Sequence, residues 1–426
     1  MYDSQKGAYK LPPQGDVSVL TRPVQGRGFT LKNAMVIQPM EGCDADHTGA
    51  PTDWTKRRYC RFAAGGAGLI WMEAVAVTPE ARANPCQLMI TEDNIDSFRR
   101  LLADTRRAAA DAGLEAPKII AQLTHSGRWS RPVDVKTPIR SWYNETLDRH
   151  QNLPEDYPII SDEELEKLPA KFAHSTKLAM EAGFDGVDVK ACHLYLMSET
   201  LGGFDRPAPY GGSYENRTKI YFECVKAAAS EIGNGILAAR VNLYDGEAGK
   251  WGVGEEQSLA LDEPLRLVRD LAAMDVTLIN ITMGTPYFNP HVNRPYARGG
   301  YEQPENPIDG VARLLYGCKR AQEEAPDVVC VATGMSYLRQ FGPAIAAGLI
   351  EEGGAKCVGW GRGAFAYPDF ARDIIENGAM TPGKCCVTCG VCTKIMRQPT
   401  GRPGCPVRDT AWYYPEFQRV LGGKKQ

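Results

Sequence analysis

From about Asn33 onward, short apolar runs alternate with longer amphipathic stretches, and that rhythm is the sequence sign of βα units around a parallel sheet. Eight such runs can be read, at residues 34–40, 68–77, 118–125, 186–192, 236–244, 276–283, 328–334 and 357–361. Amphipathic segments at 94–112, 162–182, 215–232, 263–274, 310–324 and 338–351 lie between them. Gly113, Gly183, Gly233, Pro326 and Gly353 supply stops near their C-terminal ends. Eight units in 426 residues predict an α/β fold, a closed (β/α)8 TIM barrel over residues 1–379, with an open doubly wound sheet as the rival.

Two stretches break the spacing. Residues 127–160, rich in Pro, Asp and aromatics including Trp129, Trp142 and Tyr143, exceed an ordinary βα loop and read as a lid or pocket wall. Residues 380–426 read as an appendage that crowds together Cys385, Cys386, Cys389, Cys392 and Cys405, out of thirteen cysteines in the chain. A disulfide scaffold would spread its cysteines evenly, so the crowd reads as a metal or cluster site. The spacing Cys386-x2-Cys389-x2-Cys392-x12-Cys405, with Pro406 after the last cysteine, suits a cubane iron–sulfur cluster; tetrahedral zinc and free thiols are the alternatives.

The formal net charge of −3 and the lack of any basic run argue against a nucleic-acid or anionic-membrane partner. No apolar run approaches the roughly 18 residues needed to span a bilayer, and the N-terminus from Met1 to Lys6 lacks the apolar core of a secretory signal. The expected location is cytoplasmic.

Polar side chains gather where the apolar runs end. The fourth run leads into Lys190, His193 and Tyr195, which offer a cation, a titratable ring and a phenolic proton and mark the substrate-facing edge of an active site. The alternative for Lys190 is a structural pairing with Asp188, two residues back on the same strand face. Gly334 and Gly361 fall in glycine-rich turns after the seventh and eighth runs, where barrels commonly cradle phosphate, and Arg362 adds a forked cation. Arg240, ending an apolar run, needs an anion or a π-system. Gln122 suits the edge of a heterocycle, or is a satisfied core amide. Tyr287 and His291, after the sixth run, are weaker candidates for an auxiliary acid.

In family order, Gln38-Pro39-Met40, Gly68 through Ala74, Gln122 through Arg128, Gly183 through Asp188, Tyr210 through Arg217, Thr333-Gly334 and Gly361-Arg362 resemble the old yellow enzyme family of FMN-dependent oxidoreductases. Within it they resemble the branch of 2,4-dienoyl-CoA reductase and trimethylamine dehydrogenase, which appends a [4Fe–4S] cluster. The resemblance implies FMN at the barrel mouth, with Pro39, Met40 and Ala74 against the isoalloxazine, Gln122 at its pyrimidine edge, and Arg240 at N1/O2. Gly334, Gly361 and Arg362 would hold the phosphate. It implies a [4Fe–4S] cluster on Cys386, Cys389, Cys392 and Cys405.

The implied reaction is reduction of an activated carbon–carbon double bond. Lys190 and His193 would polarise the carbonyl and Tyr195 would donate the proton. Lys190 departs from the His–His or His–Asn pair of many members, so substrate choice is expected to differ. Partners are a small unsaturated substrate and either NAD(P)H or an electron-transfer protein, because the chain stops soon after Cys405 where branch members often continue into dinucleotide-binding domains. Self-association is left open. The rival functions are an amine dehydrogenase or demethylase that exports electrons through the cluster, and a non-catalytic, metal-stapled barrel.

Overall fold

Residues 2–3 and 8–422 are described in a computed structural model of the chain. Eight parallel strands pair in sequence order, β1 Met35–Ile37, β2 Leu69–Ala76, β3 Lys118–Thr124, β4 Gly186–Ala191, β5 Ile236–Asn242, β6 Leu278–Thr282, β7 Val329–Ala332 and β8 Cys357–Trp360. The last returns to pair with β1 and closes a barrel. Each strand lies inside one of the eight predicted runs, and the rival open sheet is excluded by that closing pair. Outside run α1 Asp53–Ala64, α2 Ile95–Asp111, α3 Leu168–Ala182, α4 Tyr214–Glu231, α5 Asp262–Ala273, α6 Pro307–Glu324, α7 Gly342–Glu351 and α8 Phe370–Asn377.

Two predicted helices change at prolines. The segment at 162–182 is split into a short helix, Asp162–Leu165, and α3, because Pro169 lacks the N–H that a helix interior needs and is tolerated only in a first turn. Likewise α7 starts at Gly342 rather than at residue 338, with Pro343 in its first turn and Arg339 just before it at φ 53°.

The period of two decides what faces the barrel axis. Val36, Trp71, Ile120, Ala238, Leu278, Val331 and Cys357 form one buried apolar cluster, joined by Phe29 and Leu31 of a hairpin made by Val24–Gly26 and Phe29–Leu31. Two residues farther along the same strands, alternation sends Gln38, Gln122, Arg240, Asn280, Thr333 and Gly359 to the same inner face. The apolar core therefore gives way to a polar layer at the C-terminal ends of the strands, where barrels of this kind carry their active sites. In β2 the register slips between Trp71 and Ala74. That irregularity puts Ala74 opposite Gln122 and sends Glu73 outward to Arg58 and Tyr59, at 2.8 and 3.0 Å.

Residues 127–160 are pinned rather than loose: Arg128 bonds Asp148 and Glu199, Arg140 shares Asp148, and Trp142 Nε1 donates to the Glu199 carbonyl at 2.9 Å, all buried. The C-terminal segment forms helices Val391–Met396 and Thr410–Leu421. It docks on α1, where Arg57 and Arg61 donate to Asp409 and Trp54 meets Trp412 edge-on at 5.0 Å. No described helix is long and apolar enough to cross a membrane.

Candidate active site

At the C-terminal mouth of the barrel lies a cavity of about 130 Å3. Its lining includes Pro39, Met40, Ala74, Gln122, Lys190, His193, Tyr195, Arg240, Gly334, Gly361 and Arg362, so the residues singled out as catalytic or cofactor-binding meet there, the auxiliary candidate His291 excepted. Glu41, Tyr287, Asn293, Arg294 and Thr393 complete much of the rest.

The polar layer is internally tied. Asp188 Oδ2 accepts from Trp71 Nε1 at 2.8 Å and from Gln122 Nε2 at 2.6 Å, while its Oδ1 has no hydrogen-bond partner. These bonds fix the Gln122 amide with its nitrogen spent on Asp188. Burial lifts the Asp188 carboxyl to about 6 against those hydrogen bonds and the Arg240 and Lys190 cations. Among the described residues Asp188 and Lys190 form no ion pair; the Lys190 ammonium lies instead over the Tyr195 ring, 3.6 Å from its centroid. Burial pulls the Lys190 pKa below that of an ordinary lysine.

His193 and Leu194 both have positive φ, 65° and 55°, an uncommon conformation for non-glycine residues, and they turn the chain sharply out of β4. The turn brings the His193 Nε2 to 3.0 Å from Asn293 Nδ2. Asn293 Nδ2 also lies 3.0 Å from Thr282 Oγ1 and 3.1 Å from the Met283 carbonyl, which can only accept, so the amide is oriented with its nitrogen toward His193 Nε2, a position that suits an unprotonated Nε2. The ring is neutral with its proton on Nδ1; burial, then the cations of Arg240, Lys190 and Arg294, hold its pKa well below the ordinary value.

Tyr195 is buried, donates to Glu41 Oε1 at 2.7 Å, and has the Tyr287 hydroxyl at 2.7 Å. With the Tyr195 hydrogen given to Glu41, Tyr287 is the donor in the second bond. Burial, then Glu41 and Tyr287, push the Tyr195 phenol well above its ordinary value. Trp129 stacks on Tyr287 at 4.5 Å and backs this chain from the 127–160 segment. His291 points elsewhere: its Nδ1 is 2.6 Å from the Tyr301 hydroxyl, so of the two auxiliary candidates only Tyr287 reaches Tyr195.

Two buried guanidiniums carry unmatched N–H groups. Arg240 Nε and Arg362 Nη1 have no hydrogen-bond partner, and neither has Thr333 Oγ1. Arg362 Nη2 donates to the Pro295 carbonyl at 2.7 Å, and Arg294 Nη1 donates to Thr393 Oγ1 at 2.8 Å. Burial and the neighbouring Arg362 cation lower the Arg294 pKa to about 10. Side chains are kept off the cavity floor: a Cβ on Gly359 would come 2.1 Å from Gln38 Nε2, and Gly334 sits at φ 107°. Unmatched buried cations are costly unless an anion or polar heterocycle meets them, so these residues fit a flavin carrying a phosphate.

Residues 20–297 match the family model described as NADH:flavin oxidoreductase / NADH oxidase. The chain belongs to this family. It is an FMN-dependent oxidoreductase of old yellow enzyme type. An NADPH dehydrogenase of Geobacillus thermodenitrificans is 29% identical over 273 residues, 63% of this chain and 73% of that protein. One of Listeria monocytogenes is 28% identical over 319 residues, 71% of this chain and 85% of that protein. The old yellow enzyme homologue from Zymomonas mobilis shares the fold at TM-score 0.65 and 21% identity, covering 85% of this chain and 94% of that one. A 2-naphthoyl-CoA reductase, solved with 2-naphthoyl-CoA, shares it at TM-score 0.72 and 18% identity; this chain is covered to 94% and spans 58% of that chain's length.

The cysteine segment differs from its expectation. Burial raises the Cys386 and Cys405 thiols, with neighbouring thiols adding to the effect, so these cysteines lie near one another. Among the described residues, however, no three His, Cys, Asp or Glu side chains converge as a metal-ligating group. Thr388 N donates to Cys386 Sγ at 3.3 Å, and Cys389 and Cys392 lie at the partly exposed start of a short helix. The chain geometry around them does not by itself draw the thiols to a common centre.

Sequence reasoning missed Glu41, Asn293, Arg294 and Thr393 as site residues. Glu41 carried a signal, a carboxylate directly after Pro39-Met40 at the end of an apolar strand. The other three lie in a loop and a tail whose approach to the barrel only the folded chain reveals.

Proposed function

We propose that the protein is an ene-reductase, reducing a carbon–carbon double bond conjugated to a carbonyl, with NAD(P)H as the electron source. Gln122, Arg240, Gly334, Gly361 and Arg362, with Pro39, Met40 and Ala74, are the residues to hold FMN. When bound, FMN supplies the hydride for the β-carbon.

The chain's own side chains do the rest. Lys190 and the Nδ1–H of neutral His193 donate to the substrate carbonyl oxygen and stabilise the negative charge that develops there. Tyr195 Oη delivers the proton to the α-carbon, and Tyr287, 2.7 Å away, stands as the next donor in line. The Lys190 ammonium over the Tyr195 ring favours the phenolate that proton delivery creates, working against burial and the Glu41 carboxylate, which still hold the phenol well above its ordinary value. The observation that carries this reading is the convergence of Lys190, His193 and Tyr195 on the cavity that also holds the unmatched N–H groups of Arg240 and Arg362.

The test is anaerobic: enzyme reduced by dithionite is mixed with a panel of enones and flavin reoxidation is followed. Rapid reoxidation supports the proposal. Failure with every enone, together with bleaching of the oxidised enzyme by amines, would replace it with the amine-dehydrogenase reading.

A [4Fe–4S] cluster on Cys386, Cys389, Cys392 and Cys405 is a separate proposal, supported by their spacing and proximity and opposed by the lack of a converged ligand group. No step of the proposed reaction passes through it.

A further inference from the structure

Against the His125 ring lies a second hollow, of about 460 Å3, which shares no lining residue with the flavin cavity. His125 is only 3% exposed. Its Nδ1 accepts from the Gly127 N–H at 3.1 Å, so in the neutral ring the proton is on Nε2. Burial drops its pKa to about 4, against the pull of the Glu80 carboxylate, and the ring is therefore neutral near neutral pH. Among the described residues nothing accepts from Nε2–H. A buried donor without an acceptor is costly, and this one borders the hollow.

The walls around it are apolar and fixed. Pro138, Ile139, Pro158, Ile159 and Leu168 line them, and Ile159 is left 44% exposed. The Tyr157 hydroxyl donates to the Pro138 carbonyl and the Ile160 N–H to the Arg140 carbonyl, both at 2.9 Å, which ties the two sides of the wall together. At the mouth stand Glu80, Glu164, Lys167 and Lys171, all exposed; two carboxylates and two ammoniums leave no net charge to draw an ion.

We propose that this hollow binds an uncharged, largely apolar molecule bearing a carbonyl oxygen, which accepts from His125 Nε2–H while its carbon skeleton covers Ile139, Ile159 and Leu168. An apolar lining with one well-placed polar group is what fixes the orientation of such a ligand. The place is close to the chemistry. The His125 carbonyl accepts from the Leu196 N–H at 3.1 Å, and a Cβ on Gly127, itself at φ 57°, would come 2.7 Å from that same nitrogen. The turn that carries the ring is thus packed directly on the residue after Tyr195. Binding itself depends on neither the flavin nor the reaction proposed above.

Holoenzyme carrying isotope-labelled histidine is titrated with adamantanone, a saturated ketone that offers no double bond for reduction, and the ring nitrogens are followed by nuclear magnetic resonance through the carbon-bound ring protons. His125→Asn, whose Oδ1 can replace Nδ1 as the acceptor for Gly127, assigns the His125 signals by their loss. The Nε2 signal of His125 should move saturably as its proton enters a hydrogen bond, with flavin absorbance unchanged. Ile159→Trp, which fills the hollow from its exposed rim, should weaken the binding by about tenfold or more. Should that variant fold poorly, Lys171→Trp blocks the same mouth from the exposed face of α3. Adamantane carboxylate and adamantyl ammonium, of the same shape but charged, should bind more weakly than the ketone. A His125 signal that does not move or does not saturate, equal affinity in a folded Trp variant, or tighter binding of either ion overturns the proposal. A shift that follows a change in flavin absorbance and survives the Trp substitution also overturns it, because the ketone is then at the barrel mouth.

Discussion

The Lys190 ammonium sits 3.6 Å from the centroid of the Tyr195 ring, and the same tyrosine gives its hydroxyl hydrogen to Glu41 at 2.7 Å. One charge favours loss of the phenolic proton and the other opposes it. A proton donor poised between a cation and an anion can be tuned by either.

Tyr195→Phe keeps the ring under Lys190 and removes only the acid. Stopped-flow half-reactions should show substrate reduction slowed by about 10²–10⁴-fold with flavin reduction by NAD(P)H nearly unchanged. Equal slowing of both half-reactions would mean that the tyrosine positions ligands rather than protonates them.

Lys190 loses its charge at lower pH than an ordinary lysine, because burial disfavours the ammonium. Its polarising role is present below its folded pKa and disappears as pH rises through it. The rate of enone reduction should therefore fall on the alkaline side before an ordinary lysine would titrate. Lys190→Arg, which stays charged, should abolish that fall, and an unaltered pH profile would exclude Lys190 as its origin.

Glu41 is one of the groups that raise the Tyr195 pKa. Glu41→Gln keeps an acceptor oxygen but removes the charge, so Tyr195 should ionise at lower pH than in the wild-type protein. Ultraviolet titration of phenolate absorbance, with Glu41→Gln/Tyr195→Phe as the blank, reads the change directly. If the difference between the two variants matches that between wild type and Tyr195→Phe, the Glu41 charge does not act on this phenol.

Asp188 links the site to stability. Burial raises its pKa from 3.8 to about 6, so between those values the folded protein holds a proton that the unfolded chain has released. Stability from this group is fully present at the acid end and is lost as pH rises through about 6, at roughly 1.4 kcal/mol per pH unit. In Asp188→Asn the amide oxygen can accept from Trp71 and Gln122, and the amide nitrogen takes the place of the unpartnered Oδ1. Denaturant midpoints measured across this range should show a flatter pH dependence in the variant; parallel curves would refute the linkage.

For the cysteine segment, Cys389→Ala should remove iron and acid-labile sulfide from anaerobically purified protein while FMN stays bound. Stoichiometric iron retained in the variant, or no iron in the wild type, would leave these cysteines as thiols.

The parts of this protein that were legible in the sequence share a physical cause. A strand buried on both faces must be apolar, and the period of two continues unbroken past the last apolar residue, so Gln122 and Arg240 could be assigned to the barrel mouth from their strands alone. Ala74 is instructive, because simple alternation from Trp71 points Glu73 inward and the register slip in β2 reverses it. The proline-broken helices were misread for a related reason, as their apolar faces continue across a break that the backbone cannot bridge.

By itself the sequence determined the barrel, the depth at which polar groups appear on its strands, and the presence of a donor trio at and just beyond the end of β4. Those follow from interactions between near neighbours along the chain. Only the tertiary structure decided that Glu41 meets Tyr195 across 154 residues, that Tyr287 lies second in line behind it, and that Arg294 reaches the tail at Thr393, 99 residues away. Loops carry no periodicity, so which of them close over the barrel mouth, and which unpaired cations gather there, depends on how the finished barrel holds their ends.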